Sequence, residues 1–399
     1  MRHLRRYQCF FLVLIVAVAG LALAFNSWAN PWRVIPSPLS SRKMDPHRAI
    51  EQNWNRTCKA GLASAGTATW DAGLFGSSRV DIGLNPKHAA FDGMACGNFG
   101  LNAGLLPENE AMCRYFLAQQ KGAKLVVLAI DATDLTTPVA RKKQADFDIS
   151  PLNGKPATLE QELRYRAGIS TLSSSLAATG RMMRGTLAEH TPEGFRREPE
   201  YPDGQMLYFS TIYRMAKQHT AQGQLDAEKM AMLEGIVKRC REQGARLVIF
   251  FTPNHGLFQL AFRELGDPDP YFLADRRALA DLAARANAAD PAAPPVEVWD
   301  FLDGHPLNTP PMPPPGQKKG HPAGWVDLFH VLPETGDRML ERLQGRGDYG
   351  ELLLPDRVEA RVVKVKAQLD DYEARNPEDA AFLRKSLAKF QSSPPKQKQ

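Results

Sequence analysis

Three hydrophobic patterns alternate along the chain. The first is one uncharged run, CFFLVLIVAVAGLALAF, from Cys9 to Phe25. About 17 to 25 apolar residues suffice to cross a bilayer as a helix. The second is a set of short apolar runs: TWDAGLFG from Thr69, AAFDGMACG from Ala89, AKLVVLAID from Ala123, ARLVIFFTP from Ala245 and VEVWDFL from Val296. Those beginning at Ala123 and Ala245 are almost wholly apolar, as in strands buried on both faces of a parallel sheet. The third pattern is helical. PENEAMCRYFLAQQKG from Pro107 has apolar residues at helical spacing and ends at Gly122. LDAEKMAMLEGIVKRCREQG from Leu225 behaves alike, with Asp226 as its N-cap and Gly244 just past its end. Helix then strand, repeated, predicts one α/β domain with a mostly parallel sheet.

Where the alternation stops, other segments are read. Residues 29–65, rich in Pro, Ser and Arg before a short helical pattern, are read as a stalk between the apolar run (9–28) and a domain over 66–353. Residues 135–224 form a helical insertion, either a lid over the sheet's carboxyl edge or a packing appendage. The Pro-rich stretch 305–322 has to be loop. Residues 354–399 read as a charged helix and a frayed tail.

Charge adds a direction to the first run. Arg2, Arg5 and Arg6 precede it in an eight-residue basic tip, so by charge bias everything after Phe25 is expected outside the cytoplasm. An uncleaved anchor suits Trp28 and Trp32 as interfacial rings; a cleaved signal peptide would use Ser27 and Ala29. The 43% hydrophobic and 24% charged residues are a globular balance, so the rest is expected to fold. The net charge of +6 is spread without a basic stripe interleaved with aromatics, which argues against nucleic acid as a partner. Cys58, Cys96, Cys113 and Cys240 form neither a CxxC nor a zinc pattern; disulfides and buried thiols both remain open.

Three stretches carry candidate chemistry. LFGSSRVDIGL (74–84) ends a strand in Gly-Ser-Ser-Arg, which is either a turn or a serine nucleophile. GNFGLNAG (97–104) follows the second strand, and its small residues let backbone amides approach a reacting oxygen. GWVDLFHVLPETGDRML (324–340) holds Asp327 and His330, three apart, so the acid can hold one ring nitrogen while the other serves as base. In a parallel sheet all three lie at the carboxyl edge, where sites of such folds form. Arg79 is read as a substrate contact or as a strut to Asp81 or Asp134. His305, His321, His330 and Asp327 fit no standard zinc spacing, so no metal is assigned.

With these residues in view, the chain resembles the SGNH (GDSL-type) hydrolase superfamily. Within it, the chain is similar in layout to membrane-anchored proteins of alginate O-acetylation and teichoic-acid D-alanylation. FGSSRVDIGL matches the first block with Ser78 as nucleophile; NFGLNAG matches the second with Gly104; DLFH matches the last with Asp327 and His330. The resemblance implies a three-layer α/β/α sandwich with a flavodoxin-like sheet. It implies a serine esterase or O-acyltransferase without a cofactor, at the inner membrane with its bulk periplasmic. Its substrate would be an envelope polysaccharide or acyl ester, and a membrane-bound acyltransferase its partner. The oxyanion donors would be the amides of Ser78 and Gly104. The third block departs from the family: IDATD has Thr133, whose shorter hydroxyl can still donate to the oxyanion, where an asparagine is usual, with Asn254 or His255 in FTPNHGLF as replacement donors or substrate contacts, or as loop caps. Ser77 also stands where an aspartate is typical. That departure keeps a second function open, a degraded SGNH-like binding or scaffold protein of the cell envelope. Nothing in the chain points to a purely structural role.

Overall fold

The computed structural model describes residues 2–136, 146–197, 205–222, 224–313 and 320–392. Parts of the insertion, of the Pro-rich stretch and of the tail therefore lie outside the described residues. In chain order, α1 (Arg2–Ala29) and α2 (Asn55–Ala63) precede β1 (Ala72–Phe75), α3 (Ser78–Gly83), β2 (Cys96–Asn98), α4 (Leu106–Gln119) and β3 (Leu125–Ile130). The insertion supplies α5 (Leu159–Ala167), α6 (Ile169–Arg184) and α7 (Gln205–Gln222). Then come α8 (Ala227–Glu242), β4 (Arg246–Phe251), α9 (Gly256–Glu264), α10 (Leu273–Ala289) and β5 (Val296–Asp300). Last are α11 (Pro333–Glu341), β6 (Glu351–Leu352), α12 (Val358–Arg375) and α13 (Pro377–Ser392).

The fold is α/β with a six-stranded sheet in the order β2-β1-β3-β4-β5-β6. Every pairing is parallel except β5 with β6. The runs at Ala123 and Ala245 form the central pair, in register from Leu125 opposite Arg246 to Ile130 opposite Phe251. Both faces of β3 are covered, which is why its sequence does not alternate. Val126, Leu128 and Ile130 pack with Met112 and Phe116 of α4 and Ile236 of α8. Leu125, Val127 and Ala129 pack with Val80 of α3 and Met339 and Leu340 of α11. The α8 boundaries follow the sequence reading: Asp226 accepts from the Glu228 and Lys229 amides, and Gly244 takes φ +67° beyond the end.

Several expectations change. AAFDGMACG is strand only in its last part; Ala89–Phe91 is a 3₁₀ turn, and Gly93 reverses the chain at φ +79°. Residues 29–65 are not a free stalk. Trp32 stacks on Trp54 at 4.3 Å, Arg48 Nε donates to Ala29 O at 2.8 Å, and every residue of α2 is buried. Gly61 makes this docking possible, since a Cβ there would sit 1.9 Å from the Trp32 carbonyl oxygen. The α12 helix is likewise integral. Its Arg361 pairs with Asp300 and Asp303, both at 2.8 Å, and Arg276 of α10 meets the same Asp300 at 2.9 Å. Cys58, Cys96, Cys113 and Cys240 are buried thiols without a disulfide. The α1 helix is long and apolar enough to cross a membrane.

Candidate active site

The turn from β1 into α3 is made by Gly76 and Ser77. Gly76 has φ +153°, and a Cβ there would meet Val80 Cγ2 at 2.6 Å and Ala129 Cβ at 2.9 Å, so the position admits only glycine. Ser77 is the N-cap, its hydroxyl accepting from the Arg79 amide at 3.3 Å. Capping is what a short polar side chain does well here, and it accounts for serine at this position. Ser78 is then the first residue of α3, where helix geometry leaves the amide without an intrahelical acceptor.

The acid and imidazole come from the loop before α11. Val326 N donates to His330 O at 2.8 Å and Leu332 N to Gly324 O at 2.8 Å, closing a small ribbon around Asp327. Asp327 Oδ1 accepts from the amides of Phe329 and His330, both at 2.7 Å, so the carboxylate is fixed by its own turn. Its Oδ2 lies 2.7 Å from His330 Nδ1, and His330 Nε2 lies 2.8 Å from Ser78 Oγ. With the Nδ1 proton donated to the carboxylate, Nε2 is the acceptor for the serine hydroxyl. Burial alone would raise the Asp327 carboxyl; the imidazole and the two amides outweigh it and hold it below the ordinary carboxylate range. Ser78 and His330 are half-buried, so the hydroxyl is reachable while the acid is sheltered.

The other candidate residues divide. Gly104 donates its amide to Leu101 O at 2.9 Å, inside its own turn, and so does not offer the free donor expected of it. The glycine of that segment that touches α3 is Gly100, where a Cβ would lie 2.5 Å from the Asp81 amide nitrogen. Thr133 has φ +84°, a strained conformation for a β-branched residue, in a turn closed by Asp134 N to Asp131 O. Asn254 is fully buried, and neither its amide nitrogen nor its oxygen has a hydrogen-bond partner. Its neighbours bracket the site: Pro253 O accepts from Arg79, and His255 N donates to Leu328 O.

Arg79 and His255 are not placed as substrate contacts. The Arg79 guanidinium is buried, donating to Thr252 Oγ1 and Pro253 O, both at 3.1 Å, and lying 3.4 Å from Asp131. It is a strut, but not to the partners expected, because Asp81 is taken by Lys59 at 2.6 Å and His190 at 3.1 Å. His255 caps α9 through Nδ1, and its Nε2 faces Pro310 O at 2.8 Å. Burial pushes its imidazole down to about 4, so it stays neutral with both nitrogens engaged.

The Lys59–Asp81–His190 cluster escaped sequence reasoning. Its members lie on α2, α3 and the insertion, and only a buried lysine among small residues in CKAGLA signals it. Among the described residues no three His, Cys, Asp or Glu converge as metal ligands. No protein-family model, curated protein or solved structure matches the chain, so the arrangement of Ser78, His330 and Asp327 stands on its geometry alone.

Proposed function

We propose that the chain is a membrane-anchored serine esterase or O-acyltransferase of SGNH type, acting outside the cytoplasm on an acylated envelope polysaccharide. The observation that carries this reading is the continuous relay from Ser78 Oγ through His330 to Asp327, at 2.8 and 2.7 Å. The strand order, with β1 between β2 and β3, supports a flavodoxin-like three-layer sandwich, whose ligands bind beyond the carboxyl ends of the strands. Ser78 begins at such an end, two residues past Gly76.

In this mechanism His330 Nε2 takes the Ser78 proton as Oγ attacks the ester carbonyl. The resulting imidazolium is held by ionised Asp327 and returns the proton to the departing alkoxide, leaving an acyl-serine. Water or a sugar hydroxyl then gives its proton to His330 and attacks the acyl carbon, and Ser78 regains its hydrogen. The developing oxyanion would meet the Ser78 amide and the unpaired Asn254 amide; one such donor is worth about 3 kcal/mol. A buried carboxamide with no partner is costly, which supports an oxyanion as its missing acceptor. A fluorophosphonate should label Ser78 and be blocked in His330→Ala. Absence of an adduct would overturn the reading. Asn254→Ala should lower kcat about 10²- to 10³-fold with little change in KM; an unchanged kcat would remove Asn254 from the oxyanion site.

A second reading, a degraded SGNH-like binding or scaffold protein of envelope assembly, is favoured by Gly104, whose amide is spent in its turn, and by Thr133 in place of asparagine. It predicts carbohydrate binding unaltered by Ser78→Ala.

A further inference from the structure

Exposed large hydrophobic side chains are not scattered over this protein. Among the described residues outside α1, only Leu39, Leu225 and Val363 lie elsewhere; the other six are Leu159, Leu163, Ile169, Leu176, Met183 and Leu187. They fall on α5, α6 and the turn that follows. On α6, Ile169, Leu176 and Met183 are seven apart and so form one line along the helix. The opposite face, Thr171, Ser174, Ser175 and Ala178, is the buried one. Leu159 and Leu163, four apart, share a face of α5, while Tyr165 turns inward against Trp32. Both helices thus turn large apolar residues toward solvent, and on α6 the face toward the protein is made of small residues.

The α5–α6 pair is locked to the end of α1. Asn26 Nδ2 donates to Arg166 O at 2.9 Å, at the corner between α5 and α6. Ala29 and Trp28 pack with Ala178 and Met182 of α6. The position of that corner along α1 decides what lies beside it. A helix crosses the hydrocarbon core in about 20 residues. Counting from Arg6, the last charge before the apolar run, about 20 residues reach Asn26. The corner therefore sits at the far interface, and the exposed apolar stripe lies at headgroup depth. Net positive charge accompanies it: Arg164 and Arg166 pair with Glu160 and Glu162 at 3.0 and 3.1 Å, and the surplus is carried by Arg181 and Arg184 of α6, the former also donating its Nε to His47 O at 2.7 Å.

We propose that α5 and α6 form a platform lying on the bilayer, with the Leu159–Leu187 apolar stripe inserted beside the anchor and the arginines of α6 meeting anionic phospholipid headgroups. The proposal rests on α1 crossing the membrane. The line of exposed apolar residues and the surplus positive charge suit a lipid surface: such helices bury their apolar face about 5–10 Å into the headgroup boundary, and long basic side chains reach phosphate from there. The insertion then holds the Ser78 edge at a set height above the membrane, because its loop lies against β2 through Glu193 O, which accepts from Asn98 N at 2.7 Å.

The test uses the full chain in proteoliposomes of phosphatidylcholine and phosphatidylglycerol. Cys9→Ser removes the one exposed thiol among the described cysteines, the other four being buried. Single cysteines replacing Leu176, Leu14 or Val363 carry an NBD label. Lipids bearing a doxyl group near the headgroup should quench Leu176→Cys about twofold or more, as expected for a side chain at the headgroup boundary. Lipids with doxyl near the chain end should quench Leu14→Cys, and neither should affect Val363→Cys. If Leu14→Cys is quenched and Leu176→Cys is not, the platform is wrong and the anchor stands. If neither is quenched, the anchor reading fails and the platform with it. Energy transfer between labels at position 176 on different molecules, without lipid quenching, would assign the stripe to a second copy of the chain and overturn the proposal.

Discussion

Ser78→Ala is expected to lower kcat/KM on small acetyl esters about 10⁴- to 10⁶-fold, and His330→Ala nearly as much, because the hydroxyl and the ring act as one unit. The double variant should be hardly slower than either single one. Additive losses would mean that the two do not share a step. Asp327→Asn should keep more activity, since the ring remains but loses the acceptor that holds its Nδ1 proton. The carboxylate also accepts two amides of its own turn, so the carboxamide of that variant would set one of these contacts donor against donor. The rate measurement should therefore be paired with a thermal melt. Ser77→Ala removes only the cap on α3 and should weaken turnover partly. If purified protein shows no serine-dependent turnover in any form, catalysis is abandoned for binding.

The largest loss of stability is expected from Lys59→Met. Lys59 is fully buried on α2, and its Nζ donates to Asp81 Oδ1 at 2.6 Å, Gly194 O at 2.7 Å and Asn98 O at 3.0 Å. Removing it strands a buried carboxylate beside His190 and two buried carbonyls; breaking one side of such a pair costs about 3–5 kcal/mol. A fall in Tm of roughly 5–10 °C should follow. Lys59→Met with Asp81→Leu should recover much of it, since apolar replacement of a whole buried pair is often near neutral. A Lys59→Met protein melting with the parent would refute the assignment. The same cluster sets an acid limit. Burial pushes the Asp81 carboxyl up, but Lys59 and His190 outweigh it and hold it well below the ordinary range. Its stabilisation is therefore complete above about pH 4, the unfolded value, and is lost as pH falls toward the folded one.

Local signals in the sequence carried the strands and caps. The runs at Ala123 and Ala245 are the two central strands, and Asp226 and Gly244 bound α8. Their physics lies within a few residues of each other, where period and turn chemistry are readable. The meeting of Ser78 with His330 was readable only because both stretches follow strands, so that topology rather than spacing brings them together. Docking was less legible. Residues 30–63 look polar enough to be free, yet Arg48 and Lys59 are buried by partners distant in sequence or supplied by backbone. Strand β6 is only Glu351–Leu352, too short for any period to show. The Arg79 strut was legible as a kind of contact but not in its partners, since Thr252 and Asp131 come from neighbouring strand ends. No local signal marks the Gly104 amide as the donor that closes its own turn.

The pairing of Arg361 with Asp300 and Asp303 has a consequence for how the protein comes into being. A chain growing from its N-terminus finishes β1 and Ser78 early, while His330 follows 252 positions later. Even then Asp300 at the end of β5 and Asp303 just beyond it await Arg361, which has still to be synthesised on α12. Until that helix arrives, the strand beside β4 holds a buried charge only partly neutralised by Arg276. A partly synthesised chain thus exposes Ser78 without the His330 contact, and the Ser78–His330–Asp327 arrangement closes only near the completion of synthesis.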